Sequence, residues 1–168
     1  ELLRNTLEEE GMTGPIHVMT SSGGVISPGE AAKLPVNLLL SGPAGGVTAA
    51  SQLGQMTGES RLITCDMGGT STDVCLVRDG NPAMTTESEV QGYPNKTLQM
   101  EIKTIGAGGG SIAWVDRGGV LAVGPKSAGA DPGPVCYGRG GVEPTVTDAN
   151  LFLNRLSQDS LQSGGMTL

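Results

Sequence analysis

Aromatic side chains are nearly missing from this sequence of 168 residues: Phe152, Trp114, Tyr93 and Tyr137 are the whole set. The core must therefore be aliphatic, and the stacking platforms that hold single-stranded nucleic acids have no residues to build them. One histidine, His17, leaves little room for a Ser-His-Asp triad or a histidine metal site, and its place before an apolar position reads as structural. Cys65, Cys75 and Cys136 are odd in number and form no Cys-x-x-Cys, so neither a disulfide framework nor a zinc site is suggested. Cys65 and Cys75 sit in apolar runs and read as small core residues, which fits a reducing cytoplasm best. No apolar run approaches the roughly 18 to 20 residues of a membrane helix. Positive charge is scarce, 10 basic against 17 acidic residues for a net charge of -7, which argues against a nucleic-acid or anionic-membrane surface. A phosphate could still be held by backbone N–H groups and a metal.

What the sequence has in excess is glycine, 28 of 168 residues, against a usual share of about 7%. The glycines fall in compact groups between apolar segments: "SSGG", "SGPAGG", "DMGGT", "GAGGG", "DRGG", "YGRGG" and "SGG". Their spacing is irregular, so they mark loops and not a repeat. The chain opens on "ELLRNTLEEE" without Met and closes on "SQDSLQSGGMTL", and it reads as a piece of a longer protein.

The pattern predicts a helix end over residues 1–10, a short strand in "PIHVMTS" and a buried strand over 36–41, "VNLLLS". A helix built of small residues follows over 42–56, then strands over 61–66 and 72–80 with a turn at Asp79-Gly80. Strand-like segments continue to about residue 124, with a solvated stretch near Gln91 to Asn95, and Trp114 reads as core or interface. The late helix, 145–156, is expected to be capped by Thr147 or Asp148, with Leu151, Phe152, Leu153 and Leu156 on its apolar side. This order argues for an α/β fold with a mixed sheet and flanking helices.

The stretch "CDMGGTSTDVCLV", Cys65 to Val77, places two carboxylates and a run of hydroxyls in a tight connection between strands. Gly68 and Gly69 could bring backbone N–H groups to a phosphate, with Thr70, Ser71 and Thr72 as hydroxyl donors and Asp66 and Asp73 holding Mg²⁺ through water. A polar β-turn bonded to its own backbone accounts for the same residues. "TIGAGGGSIAWVD" fails both the dinucleotide fingerprint and the GxxxxGK[ST] loop, leaving a glycine triplet that lies close to a ligand or to a neighbouring strand. In "GPKSAGADPGPVCYGRGG", Lys126 and Arg139 are the local cations, beside Asp131, on a loop that reads as functional or as a lid or interface segment.

Taken together, "LLLSGPAGGVTAA", "DMGGTSTDVCLV", "TIGAGGGSIAWVD" and "VGPKSAGADPGPVCYGRGG" resemble the hydantoinase A and 5-oxoprolinase family, which includes the acetone carboxylase beta subunit. The likeness runs from about Pro15 to Leu156. It implies a ribonuclease-H-like lobe of the actin, Hsp70 and sugar-kinase ATPase superfamily, with residues 1–40 ending a preceding segment, 41–156 forming the second lobe and 157–168 a tail. "DMGGTSTD" would be that lobe's phosphate hairpin.

The resemblance implies ATP and Mg²⁺ as cofactors, a small cyclic amide such as hydantoin or 5-oxoproline as substrate, and a hydantoinase B-type partner. Phosphoryl transfer from ATP to the amide oxygen would activate the ring carbonyl towards water, chemistry that needs positioning more than a protein nucleophile. On this reading Asp66 and Asp73 are the catalytic and metal-organising carboxylates, and Gly68, Gly69, Thr70 and Thr72 cradle phosphates. Gly106, Gly108, Gly109, Gly110 and Ser111 line nucleotide or substrate, and Lys126, Asp131 and Arg139 lie on the substrate side. Lys103 stands where the resemblance leads one to expect histidine. A ketone-activating subunit of the acetone-carboxylase kind and a non-catalytic nucleotide-binding assembly module are the alternatives.

Overall fold

The structure is a computed structural model and describes residues 2–90 and 92–157. The tail expected over 157–168 lies outside the described residues, apart from Ser157. In chain order the elements are α1 (Leu2–Glu9), β1 (Val18–Met19), β2 (Val25–Ile26), α2 (Pro28–Lys33), a 3-10 turn (Pro35–Leu38), α3 (Ser41–Thr57), β3 (Leu62–Met67) and β4 (Thr72–Arg78). There follow β5 (Asn81–Pro82), β6 (Met84–Thr85), β7 (Ser88–Val90), β8 (Tyr93–Asn95), β9 (Gln99–Met100), β10 (Lys103–Ile105), β11 (Ser111–Val115), β12 (Leu121–Ser127), a second 3-10 turn (Val135–Tyr137) and α4 (Val146–Phe152). The architecture is mixed α/β, with antiparallel pairing in β1–β2, β4–β5, β6–β9, β7–β8 and β11–β12.

The chain divides into two compact units, Glu1–Thr64 with Cys75–Lys103, and Cys65–Val74 with Thr104–Leu168. In the first, α3 buries Ala44, Val47, Ser51 and Gly54, spaced so that they share one helical face. That face packs in a core with Cys75, Val77 and Met100, joined by Leu62 and Ile102. Small side chains let the helix axis come close to its neighbours: a Cβ on Gly54 would stand 2.6 Å from the Glu59 carbonyl oxygen and 2.7 Å from Leu62 Cδ1. The helix stops at Gly58, whose φ of 80° is a left-handed conformation that a glycine adopts without strain. Asp79 and Gly80 also have positive φ, 51° and 75°, forming the two-residue turn that pairs Arg78 with Asn81 as the sequence suggests.

Several sequence expectations change. "VNLLLS" is not a buried strand: Pro35 opens a 3-10 turn, the Ser21 N–H donates to Asn37 O at 2.7 Å, and Leu39 is half exposed. A short apolar run fits either conformation, and proline's fixed φ decides for the helical turn. The solvated stretch expected near Gln91 to Asn95 is a hairpin of β7 and β8 in which Gly92, Tyr93 and Pro94 are exposed as expected, but Asn95 is buried and donates to Gln99 Oε1 at 3.0 Å; Gln91 lies outside the described residues. Cys75 is buried, but Cys65 and His17 are exposed. Trp114 is half exposed, with its indole N–H donated to Gly124 O at 2.8 Å.

The late helix, expected over 145–156 with Thr147 or Asp148 as its cap, runs from Val146 to Phe152. Thr145 is the cap, and Asp148 closes a capping box from the third helical position. Of the expected apolar side, Leu151 and Leu156 are half-buried, whereas Phe152 and Leu153, the latter just past the end of this seven-residue helix, are exposed.

Gly54→Ala tests the close packing of α3. Helix propensity alone favours alanine by up to about 1 kcal/mol. Contact with the Glu59 backbone reverses the sign, and thermal unfolding of the full-length protein should show a loss of about 1–3 kcal/mol. Gly42→Ala, with nothing within 4 Å of its Cβ, should be neutral or slightly stabilising.

Candidate functional site

The connection between β3 and β4 is four residues, Gly68 to Ser71, closed by a hydrogen bond from Gly68 N–H to Ser71 O at 2.9 Å. In the first unit the Thr64 hydroxyl donates to Cys75 O at 3.3 Å and accepts from Cys75 N–H at 3.0 Å. Asp66 on β3 and Asp73 on β4 stand at equal distance from the turn, each two residues from its ends at Gly68 and Ser71. Asp66 is exposed and takes no hydrogen bond among the described residues. Asp73 is half-buried, and its Oδ1 accepts from the Thr104 hydroxyl at 2.6 Å.

The glycine triplet resolves the ambiguity left by the sequence, because what its backbone approaches is this hairpin. Gly109 N–H donates to Gly68 O at 2.8 Å, and Gly110 N–H donates to Gly69 O at 2.7 Å. A Cβ on Gly108 would lie 2.7 Å from Gly68 O, Ser71 N and Thr70 C, and one on Gly110 would lie 2.9 Å from Gly69 O. The Thr72 hydroxyl donates to Ala107 O at 2.5 Å, and the Ser111 hydroxyl oxygen accepts from Gly108 N–H at 2.8 Å. Two loops therefore meet backbone to backbone.

That contact sets the direction of the hairpin's donors. In a planar trans peptide the C=O and N–H point opposite ways. With Gly68 O and Gly69 O turned toward the glycine triplet, the N–H groups of Gly69 and Thr70, which belong to the same two peptides, face away from it. Neither amide takes a partner among the described residues, and neither does the hydroxyl of Thr70 or Ser71. Adjacent outward amides of this kind form an anion-binding concavity. The amides of Gly108, Gly109 and Gly110 are already engaged, so their loop acts as a support.

The second tier comes from α4. Thr147 donates to Gly109 O through both its backbone N–H and its hydroxyl, each at 2.8 Å. The Asp148 carboxylate accepts from Thr145 N–H at 2.8 Å, the Thr145 hydroxyl at 2.7 Å, Cys136 N–H at 2.7 Å and Val135 N–H at 3.2 Å. Burial alone would raise its pKa, but hydrogen bonds from Thr145 and Cys136 outweigh it and hold the carboxyl below its usual value. Burial, and then the adjacent Asp148, push the Cys136 thiol up to about 11, so it stays protonated at neutral pH. Thr104 is not singled out in the sequence, and Thr147 only as a candidate helix cap. For Thr147 the legible signal was the T-x-x-D capping box of "TVTD", which places it on the first helical turn.

The remaining candidates are not drawn to the hairpin by any bond. Lys126 on β12 pairs with Glu143, Nζ to the two carboxylate oxygens at 2.8 and 3.1 Å. Asp131 and Arg139 are exposed and form no ion pair among the described residues. Lys103 pairs with Glu101 at 3.1 Å. None of the described helices is long and apolar enough to cross a membrane.

The mixed α/β architecture agrees with the comparisons. The family model described as hydantoinase/oxoprolinase matches residues 1–168, and the chain belongs to that family. It is 46% identical over 162 residues to the caprolactamase subunit alpha of Pseudomonas jessenii, covering 96% of this chain and 23% of that protein. With the 5-oxoprolinase of Saccharomyces cerevisiae it is 45% identical over 143 residues, 84% of this chain and 11% of the other. The solved nucleotide-free structure of an acetone carboxylase, described as ATP-dependent, superposes with a TM-score of 0.74 at 31% identity, over 93% of this chain and 22% of that one. The chain thus spans less than a quarter of the length of each of these proteins. The fold is that of an actin-like ATPase lobe.

Two substitutions test this architecture in the full-length protein. Gly108→Ala must displace the hairpin backbone and should cost about 1–3 kcal/mol by thermal unfolding, while Gly106→Ala, with open space at its Cβ, should be neutral. Asp148→Asn should destabilise by about 1–3 kcal/mol at pH 7, since charge-assisted bonds are lost. Because the folded pKa is depressed, the carboxylate's contribution is complete above the ordinary carboxylate range and disappears as pH falls through the folded value. The gap between wild type and variant should therefore close below about pH 4, read from unfolding curves across pH.

Proposed function

We propose that the full-length protein hydrolyses a cyclic amide at the expense of ATP, and that the hairpin from Asp66 to Asp73 is one side of its phosphate site. The observation that carries the proposal is the pair of outward, unpartnered amides of Gly69 and Thr70, with the free hydroxyls of Thr70 and Ser71 beside them and a carboxylate on each strand. Gly68 contributes the carbonyl that sets the turn. Thr72 fixes the base of the hairpin from inside through Ala107.

Asp66 and Asp73 fit a Mg²⁺ ion that keeps water and phosphate oxygens in its shell, being hard oxygen donors too few for an all-protein cage. Among the described residues no group of three or more His, Cys, Asp or Glu side chains is placed to form such a cage. ATP would supply a phosphoryl group to the amide oxygen, leaving the ring carbon open to water. The hairpin amides bind and orient the phosphates, the hydroxyls add donors as charge develops, and Asp66, free of other bonds, organises the cation or water. Ser111 and the glycine triplet hold this arrangement without touching the nucleotide. Lys126, Asp131 and Arg139 remain on the proposed substrate side, and a partner subunit of the hydantoinase B type would complete the enzyme.

Amide hydrolysis is favoured over ketone activation because identity to the ATP-dependent caprolactamase is higher than to the acetone carboxylase, 43% against 31% over similar shares of the chain. The test is ATP hydrolysis by the full-length protein with Mg²⁺, alone and with 5-oxoproline, hydantoin or caprolactam. Turnover should rise with one of these amides and fall at least about 100-fold in Asp66→Asn, the scale seen when a preorganised charge-stabilising group is lost. ATPase activity indifferent to every cyclic amide but stimulated by a ketone would replace this reading with the ketone-activating one.

A further inference from the structure

We infer that Thr147, which has no place in the phosphate cradle itself, is the positioning residue that keeps the hairpin's amides facing outward. This rests on reading Gly68–Thr72 as a phosphate hairpin. The peptide between Gly109 and Gly110 is flanked by two residues without Cβ, so it has unusual freedom to rotate. Two donors from Thr147 converge on its oxygen, the backbone N–H and the hydroxyl, each at 2.8 Å. The backbone donor is available because an amide in the first turn of a helix has no partner within the helix. The side chain is 9% exposed, which keeps water from competing for the same oxygen.

The consequence passes through rigid planes. Holding the Gly109 carbonyl fixes the opposite N–H of that peptide, on Gly110, which donates to Gly69 O at 2.7 Å. Gly69 O belongs to the same peptide as the N–H of Thr70. Two peptide groups, Gly109–Gly110 and Gly69–Thr70, thus connect the buried threonine to a donor at the hairpin tip, and the joints are short hydrogen bonds. Thr147 is itself seated by the capping box of Thr145 and Asp148, which fixes the first turn of α4.

Thr147→Val removes only the hydroxyl, and Thr147→Ser restores it, both made in the full-length protein. Hydrogen exchange without nucleotide, followed on peptides covering 66–72 and 106–111, should be about fivefold faster in the valine variant, the equivalent of one hydrogen bond. Peptides from the Cys75–Arg78 strand should be unchanged, and serine should bring both loop peptides back to wild-type rates. Mg-ATP affinity should fall about fivefold in the valine variant and return with serine. Unchanged exchange in the two loops, acceleration spread evenly over both units, or failure of serine to restore the rates overturns the inference. If the wild type binds no ATP, the phosphate reading fails, and the exchange data still decide whether Thr147 holds the hairpin.

Discussion

Two hydrogen bonds between main chains, Gly109 N–H to Gly68 O and Gly110 N–H to Gly69 O, organise the second unit. They require two loops to approach more closely than side chains permit, and this explains the glycines at positions 108 and 110. At Gly108 the obstacle to any larger residue is backbone on the facing loop, which cannot swing aside as a flexible side chain can. The contact consumes the carbonyl side of the hairpin and, through peptide planarity, assigns the amide side to whatever binds there.

This arrangement suits a chain poor in cations. With a net charge of -7 and with Lys126 and Lys103 each in an ion pair, the groups that would meet an anion at the hairpin under the proposed function are amide and hydroxyl dipoles. Dipoles held in place need no reorganisation when charge arrives, whereas a lysine on a long stem must be ordered each time. On the proposed reading, a cation between the hairpin's carboxylates and the phosphates would link nucleotide and metal in one site.

Much of this was legible in the sequence, and the failures share a cause. The strands around "DMGGTSTD", the small-residue helix α3 and the Asp79-Gly80 turn follow from local rules of periodicity and backbone freedom. The glycine triplet could be marked as a place of close approach, but its partner lies some forty residues earlier in the chain, and no local pattern names it. The same distance hid Thr104, which reaches Asp73, and Thr147, which reaches Gly109. "VNLLLS" was misread because short apolar runs carry no period, and the proline before them governs the outcome. The matched distances of Asp66 and Asp73 from the turn, by contrast, could be counted once both strands were recognised.

The proposed binding surface, made of main-chain donors, would distribute its vulnerability in an unusual way. Replacing Thr70 or Ser71 changes a side chain while the amides remain, so the tip tolerates chemical variety. Damage instead comes from positions that alter backbone direction: the glycines that admit the neighbouring loop and the interior threonines that hold its carbonyls. Asp66 apart, a survey of inactivating variants in this segment would therefore trace the support behind the hairpin tip more clearly than the tip itself.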